Sequence, residues 1–297
     1  MKILVIGSSG QLGTQIFNLK NSFSLADFSF CNKRELDVSS TKSVDSFFKN
    51  NKFDVVINCA AYTSVDEAEK NFEHAKIING YSIDYICKSL ERHKPDTKLI
   101  HLSSDYIFDG EFTAPICEED IPNPISKYGK SKLLGEEILQ KSKIPSIIIR
   151  VSWLYSIFGN NFMKTIINLS KAKKSINVIS DQIGSPTSAY DLVDCIFKII
   201  DSEKFYHYAQ EKSIFNFCNS GSCSWYEFAE EILLLTYSNC KVCPIRTDEY
   251  KTLAARPKYS VLNTSKIKSS FGLKINSWQE ALQNTINSVN TNYNKSI

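Results

Sequence analysis

"MKILVIGSSGQLGTQIF" spans residues 1–17 and sets Gly7, Gly10 and Gly13 within seven positions, directly after an apolar, β-branched run. Only 11 of the 297 residues are glycine, against roughly 7% in an average protein, so three in one turn indicate a local need for bare backbone. A buried strand running into GxxGxxG and then a helix from Gln11 gathers free amides and the positive helix end at one point. That geometry suits a pyrophosphate. A plain tight turn needs one glycine rather than three. The opening superficially resembles a signal peptide, but the apolar run stops at polar "SSGQ" and no cleavage-type segment follows.

Working outward, short β-branched runs alternate with amphipathic stretches. "KILVIG", "FSFC", "DVVINCA", "KLIHLSS" and "SIIIRVSW" read as strands, and helices are expected to begin near Gln11, Thr41, Val65 and Tyr128. This β-α alternation predicts an α/β fold: a doubly wound parallel sheet with helices on both faces. The strands are nearly continuous apolar runs, as burial on two faces demands. After about residue 150 the rhythm loosens. "INVIS" and "IFNFCN" read as short strands, and "PTSAYDLVDCIFKIID", "SWYEFAEEILLLTY" and a segment from Trp278 as helices, with Thr187 expected to cap the first of them. The predicted organisation is a dinucleotide-binding domain over 1–150, completed by a return segment near 177–202, and a smaller substrate lobe over most of 151–297.

Composition narrows the function. Apolar residues make up 42% and charged residues 23%, and the net charge is only +3, too little for a nucleic-acid surface. No run approaches the 18 or more apolar residues of a membrane span, so a cytoplasmic protein is expected. Nine cysteines, an odd number scattered through apolar segments, point to reduced thiols rather than a disulfide frame. Cys240 and Cys243 form a lone CxxC without a second pair or neighbouring histidines, so no metal site is expected.

Cofactor choice turns on the end of the second strand, where an acidic residue would hold the ribose hydroxyls of NAD. Lys33 and Arg34 stand there instead. Two cations suit a 2′-phosphate, so NADPH is expected, with NADH as the alternative if the two are only solvated loop charges.

A tyrosine four residues before a lysine puts both side chains on one helical face. Three such pairs occur: Tyr128/Lys132, Tyr208/Lys212 and Tyr237/Lys241. Only the first begins a helix just after the fourth apolar strand and its loop, at the sheet end where the glycine turn also lies. A cation about 4 Å from a phenol at an effective dielectric near 20 is worth roughly 4 kcal/mol, enough to bring the phenol from about 10 toward neutrality. Tyr128 is then a proton donor to a carbonyl oxygen, with Lys132 its activator. Ser103 and Ser104 end the fourth strand on opposite faces. Ser104 is assigned as the donor that polarises the carbonyl, the alternative being that both serines cap loop amides.

Seven blocks, "GSSGQLG", "NCAAYTSVDEAE", "LSSDYIFDG", "YGKSKLLGE", "RVSWLY", "DQIGSPT" and "ARPKYSVLNTSK", resemble in this order those of the dTDP-4-dehydrorhamnose reductase family of extended short-chain dehydrogenase/reductases. The resemblance implies a Rossmann-type cofactor domain, a sugar-nucleotide lobe, and reduction of the C4 ketone of a dTDP-linked 6-deoxyhexulose in polysaccharide precursor biosynthesis. It places Gly7, Gly10, Gln11 and Leu12 at the cofactor pyrophosphate, Asp37 and Val38 at the adenine, and Ala60, Ala61 and Tyr62 along the cofactor. Ser104, Tyr128 and Lys132 fall on its catalytic trio, with Tyr128 and Lys132 also at the nicotinamide ribose. Val65, Ser104, Asp105, Tyr106, Trp153 and Arg256 fall where the family meets its sugar nucleotide; Trp153 as core filler and Arg256 as the partner of a carboxylate are the plainer readings.

Some members of the family dimerise through magnesium held by glutamates at positions that here read Gln15 and Tyr190. Neutral side chains cannot replace carboxylates around a hard cation, which implies a monomer or a dimer built without magnesium. Two other functions stay open: a different sugar-nucleotide 4-ketoreductase or epimerase on the same scaffold, and a non-catalytic cofactor-binding regulatory subunit.

Overall fold

In the central sheet, alternate residues of each strand face different helical layers. The computed structural model describes residues 1–23 and 26–294. Strands β1 (Lys2–Ile6), β2 (Asp27–Cys31), β3 (Val55–Asn58), β4 (Lys98–Ser104) and β5 (Ser146–Val151) fall on the five expected runs. Helices α1 (Gln11–Leu19), α2 (Thr41–Asn50), α3 (Val65–Lys70), α4 (Phe72–Lys76), α5 (Ser82–His93) and α6 (Lys127–Lys141) connect them. From β1, Ile3 and Val5 pack with Leu12 and Ile16 of α1. Leu4 and Ile6 pack instead with Val44 and Phe48 of α2 and Ile83 and Ile86 of α5. The period of two in the pleat thus divides one apolar run between two cores.

The chain continues through α7 (Phe162–Ala172), β6 (Ser175–Ile179), α8 (Ala189–Asp201), α9 (Phe205–Gln210), β7 (Ile214–Phe217), α10 (Trp225–Leu235), β8 (Lys241–Ile245), α11 (Ser265–Phe271) and α12 (Trp278–Asn294). The six-stranded sheet has the order β7-β5-β4-β3-β1-β2, and every pairing in it is parallel. Within the expected return segment, α8 packs through Leu192, Val193 and Ile196 on the α1 face of the sheet, whereas β7 joins the sheet from beyond residue 202. A separate core gathers Met163 and Ile166 of α7, Ile176 and Val178 of β6, Phe228 and Ile232 of α10, and Leu282 and Ile286 of α12.

Capping side chains set several helix starts. Ser126 accepts from the Gly129 amide at the head of α6, and Ser224 and Glu227 form a reciprocal box at the head of α10. Thr187 departs from expectation. It lies in a two-residue strand, paired with Leu154–Tyr155, and its hydroxyl donates to the Ser152 carbonyl at 2.5 Å. Helix α8 begins only at Ala189, because Thr187 is already committed to that ladder.

Strand order reverses between β1 and β3, and their carboxyl ends open a crevice where ligands of such folds bind. No helix is long and apolar enough to cross a membrane among the described residues.

Candidate active site

The glycine turn occupies that crevice. Gly7 has φ +79°, and a Cβ there would stand 2.6 Å from the Ala60 nitrogen, so both its conformation and its fit against the end of β3 exclude a side chain. A Cβ at Gly13 would meet the Gly7 carbonyl oxygen at 2.5 Å, so this glycine lets α1 pack onto the turn. Gly10 differs: its φ is −79° and the nearest atom to a Cβ there, again the Gly7 oxygen, is 3.4 Å away. The protein itself leaves that position open. Gly10 caps α1, whose first-turn amides lack intrahelical acceptors, so the cradle fits a phosphate.

Around it, the Leu12 side chain is core and only its backbone faces the turn. Gln11 Oε1 accepts from Asn161 Nδ2 at 2.9 Å, tying the turn to the second half of the chain. Lys33 and Arg34 are exposed just beyond β2. Asp37 accepts from the Ser39 hydroxyl at 2.6 Å and the Ser39 amide at 3.0 Å, and the hydroxyl bond holds its carboxyl below the usual range. Val38 is buried in the core beneath. Ala60, Ala61 and Tyr62 follow β3; Asn58 Oδ1 accepts from the Ala60 amide at 3.1 Å, and Asn79 clamps Tyr62 through both its amide (2.8 Å) and its carbonyl (3.0 Å).

Ser104, Tyr128 and Lys132 meet at the carboxyl end of β4. Tyr128 is 8% exposed and Lys132 2%, one helical turn apart on α6. Ser104 donates to Asp105 Oδ1 at 3.0 Å and accepts from the Tyr106 amide at 3.2 Å, and it lies near enough to the Tyr128 phenol to favour its ionised form. Ser103, one residue earlier in the alternation, has a buried hydroxyl with no partner. The other two tyrosine–lysine pairs lie elsewhere: Tyr208 packs on Phe215 and Phe271, and Tyr237 is 92% exposed.

The expected activation of the phenol by Lys132 is not what the geometry delivers. Burial pushes Tyr128 up to about 12, with Ser104 pulling the other way. Lys132 Nζ donates to the Leu102 carbonyl at 2.6 Å, and burial brings the lysine down to about 8, with Glu136 pulling it up. Desolvation outweighs the pairwise Coulomb gain that the sequence suggests. In this state Tyr128 holds its proton firmly.

Val65, Tyr62 and Tyr106 pack against the small cluster of Ala68, Ala75 and Tyr128, with Tyr106 edge-on to Tyr128 at 5.5 Å and 77°. Asp105 is buried, which raises its carboxyl to about 7. Trp153, two residues past β5, adopts φ +45°, a conformation costing a bulky residue about 1–3 kcal/mol. Arg256 does not project freely into the crevice. Its Nη2 donates to Asp66 Oδ2 at 2.7 Å, and Asp66 Oδ1 also accepts the amides of Leu253 and Ala254 at 3.0 Å each. The carboxylate partner of the plainer reading is therefore present.

The family model described as the RmlD substrate binding domain matches residues 1–291. The chain belongs to that family. This RmlD-family chain is 36% identical over 282 residues to the spore coat polysaccharide biosynthesis protein SpsK of Bacillus subtilis (strain 168), covering 95% of each chain. It is similar to the crystal structure of a dTDP-4-dehydrorhamnose reductase from Clostridium acetobutylicum, with TM-score 0.90, 38% identity, and coverage of 98% and 100% of the two chains. It is likewise similar to a dTDP-4-dehydrorhamnose reductase from Bacillus anthracis in complex with NADP, with TM-score 0.89, 34% identity, and coverage of 97% and 99%.

Sequence reasoning passed over several residues of this RmlD-family site. Asn79, fully buried, lies in a π-helical turn over Ile77–Tyr81 and also donates to the Ser131 hydroxyl at 2.9 Å. Its signal was the Asn-Gly dipeptide inside a helical stretch, a breaker where none is needed. Asp66 carries no local signal, since its partners Leu253, Ala254 and Arg256 are remote in sequence. Positions 15 and 190 hold a buried Gln15 and a Tyr190 that is 55% exposed. Among the described residues no group of three His, Cys, Asp or Glu side chains is disposed to hold a metal ion, and all nine cysteines are free thiols.

Proposed function

We propose that this chain reduces the C4 ketone of dTDP-4-dehydro-L-rhamnose to dTDP-L-rhamnose with NADPH, as a cytoplasmic step in making a polysaccharide precursor. The observation that carries the reading is the meeting of Ser104, Tyr128 and Lys132 at the carboxyl end of β4. The names of the reductases from Clostridium acetobutylicum and Bacillus anthracis, the latter in complex with NADP, support it.

When bound, NADPH supplies a hydride to the ketone carbon. The first turn of α1 and the bare Gly10 would hold its pyrophosphate through the backbone amides of Gln11 and Leu12, Lys33 and Arg34 would meet its 2′-phosphate, Asp37 and Val38 would meet the adenine, and Ala60, Ala61 and Tyr62 would flank it. Ser104, on releasing the hydrogen bond it donates to Asp105 Oδ1, would donate to the ketone oxygen and so draw charge toward it. Tyr128, protonated at rest, gives its phenolic proton to that oxygen as charge develops there. Lys132, one helical turn from Tyr128 and held by the Leu102 carbonyl, would meet the nicotinamide ribose as an ammonium. Val65, Asp105, Tyr106, Trp153 and Arg256 orient the sugar nucleotide. An arginine whose fork is already set by Asp66 is suited to a diphosphate oxygen on its remaining N–H groups. With Gln15 and Tyr190 in place of carboxylates, the protein is a monomer or a dimer built without magnesium.

Purified protein mixed with NADPH and dTDP-4-dehydro-L-rhamnose should consume reduced-cofactor absorbance and yield dTDP-L-rhamnose by NMR. Reaction only with a different ketosugar would transfer the assignment to another 4-ketoreductase. Tight NADPH binding without reduction of any ketosugar would leave the non-catalytic subunit.

A further inference from the structure

Trp153 and Trp225 lie face to face, ring centroids 3.4 Å apart and planes within 6°. Aromatic pairs left to themselves prefer offset or edge-on arrangements over such a sandwich, so the surroundings impose this one. Three segments far apart in sequence do so. Trp153 follows Val151, whose register partner on β4 is Ser104, and its carbonyl is fixed by the Thr187 amide at 3.1 Å. Cys223–Ser224 pair antiparallel with Ile183–Gly184, and Ser224 caps α10 so that Trp225 is its first residue. One short ladder therefore delivers Gly184 and Trp225 together. A Cβ at Gly184 would stand 2.4 Å from Trp153 Cε2 and 2.6 Å from its Nε1, so bare backbone lies against the indole. Phe162 closes on Trp225 from behind at 4.5 Å.

Both indoles stay half-buried, although a pair that only filled core would be enclosed. A strained φ, a disfavoured stack and a glycine admitted for a ring all converge on one side chain, two residues beyond Val151, the register partner of Ser104. Such over-determination clusters where a group must be held for a ligand.

We propose that Trp225 is a positioning residue for ketosugar recognition: with Gly184 it fixes the Trp153 indole where the hexose ring enters beside Ser104. The inference rests on the ketosugar reading given above. Trp225 acts through Trp153, on which it stacks, so its effect falls on sugar-nucleotide binding.

The experiment compares wild type, Trp225→Ala, Trp225→Phe and Gly184→Ala, measuring KM for dTDP-4-dehydro-L-rhamnose, kcat, and Kd for NADPH. Trp225→Ala and Gly184→Ala should raise the ketosugar KM about tenfold, a loss of about 1.4 kcal/mol, with kcat and NADPH Kd within about twofold. Trp225→Phe, which keeps a flat partner, should restore most of the affinity. Folded Trp225→Ala with unchanged ketosugar KM overturns the proposal, as does an equal loss in NADPH binding. Should both alanine variants fail to fold, the stacked-indole couplet in the circular dichroism of the wild type decides: it should change with dTDP-L-rhamnose beyond any change with dTDP, and no such difference overturns the proposal. Wild type inactive on every ketosugar, with the couplet still responding to dTDP-L-rhamnose, would sink the catalytic reading and leave this one standing.

Discussion

Arg150 and Glu136 form a buried, two-pronged ion pair, Nη2 to Oε2 at 2.8 Å and Nε to Oε1 at 3.1 Å, with both side chains only 3% exposed. It bolts β5 to the helix that carries Tyr128 and Lys132. Arg150 Nη1 also donates to the Glu118 carbonyl at 3.0 Å, so three segments depend on one guanidinium. Removing one member of such a pair leaves a buried charge alone, so Glu136→Gln should cost about 3–5 kcal/mol in a urea titration. Glu136→Leu with Arg150→Met should recover most of it, and a double variant no better than the single would mean that the pair stabilises by more than compensating itself.

Glu136 sits one turn beyond Lys132 and opposes the burial that brings the lysine down to about 8. On the cofactor role proposed above, the ammonium is the form that meets NADPH, present below that pH and lost above it. NADPH affinity should weaken as pH rises through about 8, and the onset should move lower in Glu136→Gln. Titrating Kd against pH checks this; a flat profile to well above pH 9 would remove Lys132 from the cofactor site.

Tyr128→Phe keeps the ring packing against Tyr106 and Val65 while deleting the proton. NADPH should bind normally and kcat should fall at least about a hundredfold. Unchanged turnover would mean that the proton comes from elsewhere.

Asp105 has the opposite linkage sign from an ordinary paired carboxylate. Burial raises it from 3.8 to about 7, so between these values the folded state binds the extra proton. Stability from this group is present in full below the lower value and is lost as pH rises through the upper one. Asp105→Asn should therefore stabilise the protein by at least about 1 kcal/mol more at pH 8 than at pH 4, read by thermal melts at both pH values. An equal effect at both would show the carboxyl to be ionised throughout.

Gly7 and Gly10 should separate folding from binding. Gly7→Ala puts a side chain at φ +79° and 2.6 Å from the Ala60 nitrogen, costing about 1–3 kcal/mol or more. Gly10→Ala should cost about 1 kcal/mol at most yet weaken NADPH at least tenfold, since its methyl enters the space a phosphate needs. Melting curves and NADPH titrations of the two variants test this, and a Gly10→Ala protein with full cofactor affinity would empty the turn of its proposed role.

The sequence alone determined the strands of the parallel sheet, the helix starts near Gln11, Thr41, Val65 and Tyr128, the glycine turn, and the placement of Tyr128, unlike Tyr208 and Tyr237, at the carboxyl end of β4. Those features are local: apolar period, glycine spacing and helical pitch are written in neighbouring residues. Tertiary structure alone decided that Lys132 is held by Leu102, that burial keeps Tyr128 protonated, that Asp66 sets the Arg256 fork, that Thr187 serves a ladder rather than a helix, and that Trp225 meets Trp153. Each of these depends on desolvation or on a partner thirty or more residues away, and neither quantity is carried by any short stretch of chain.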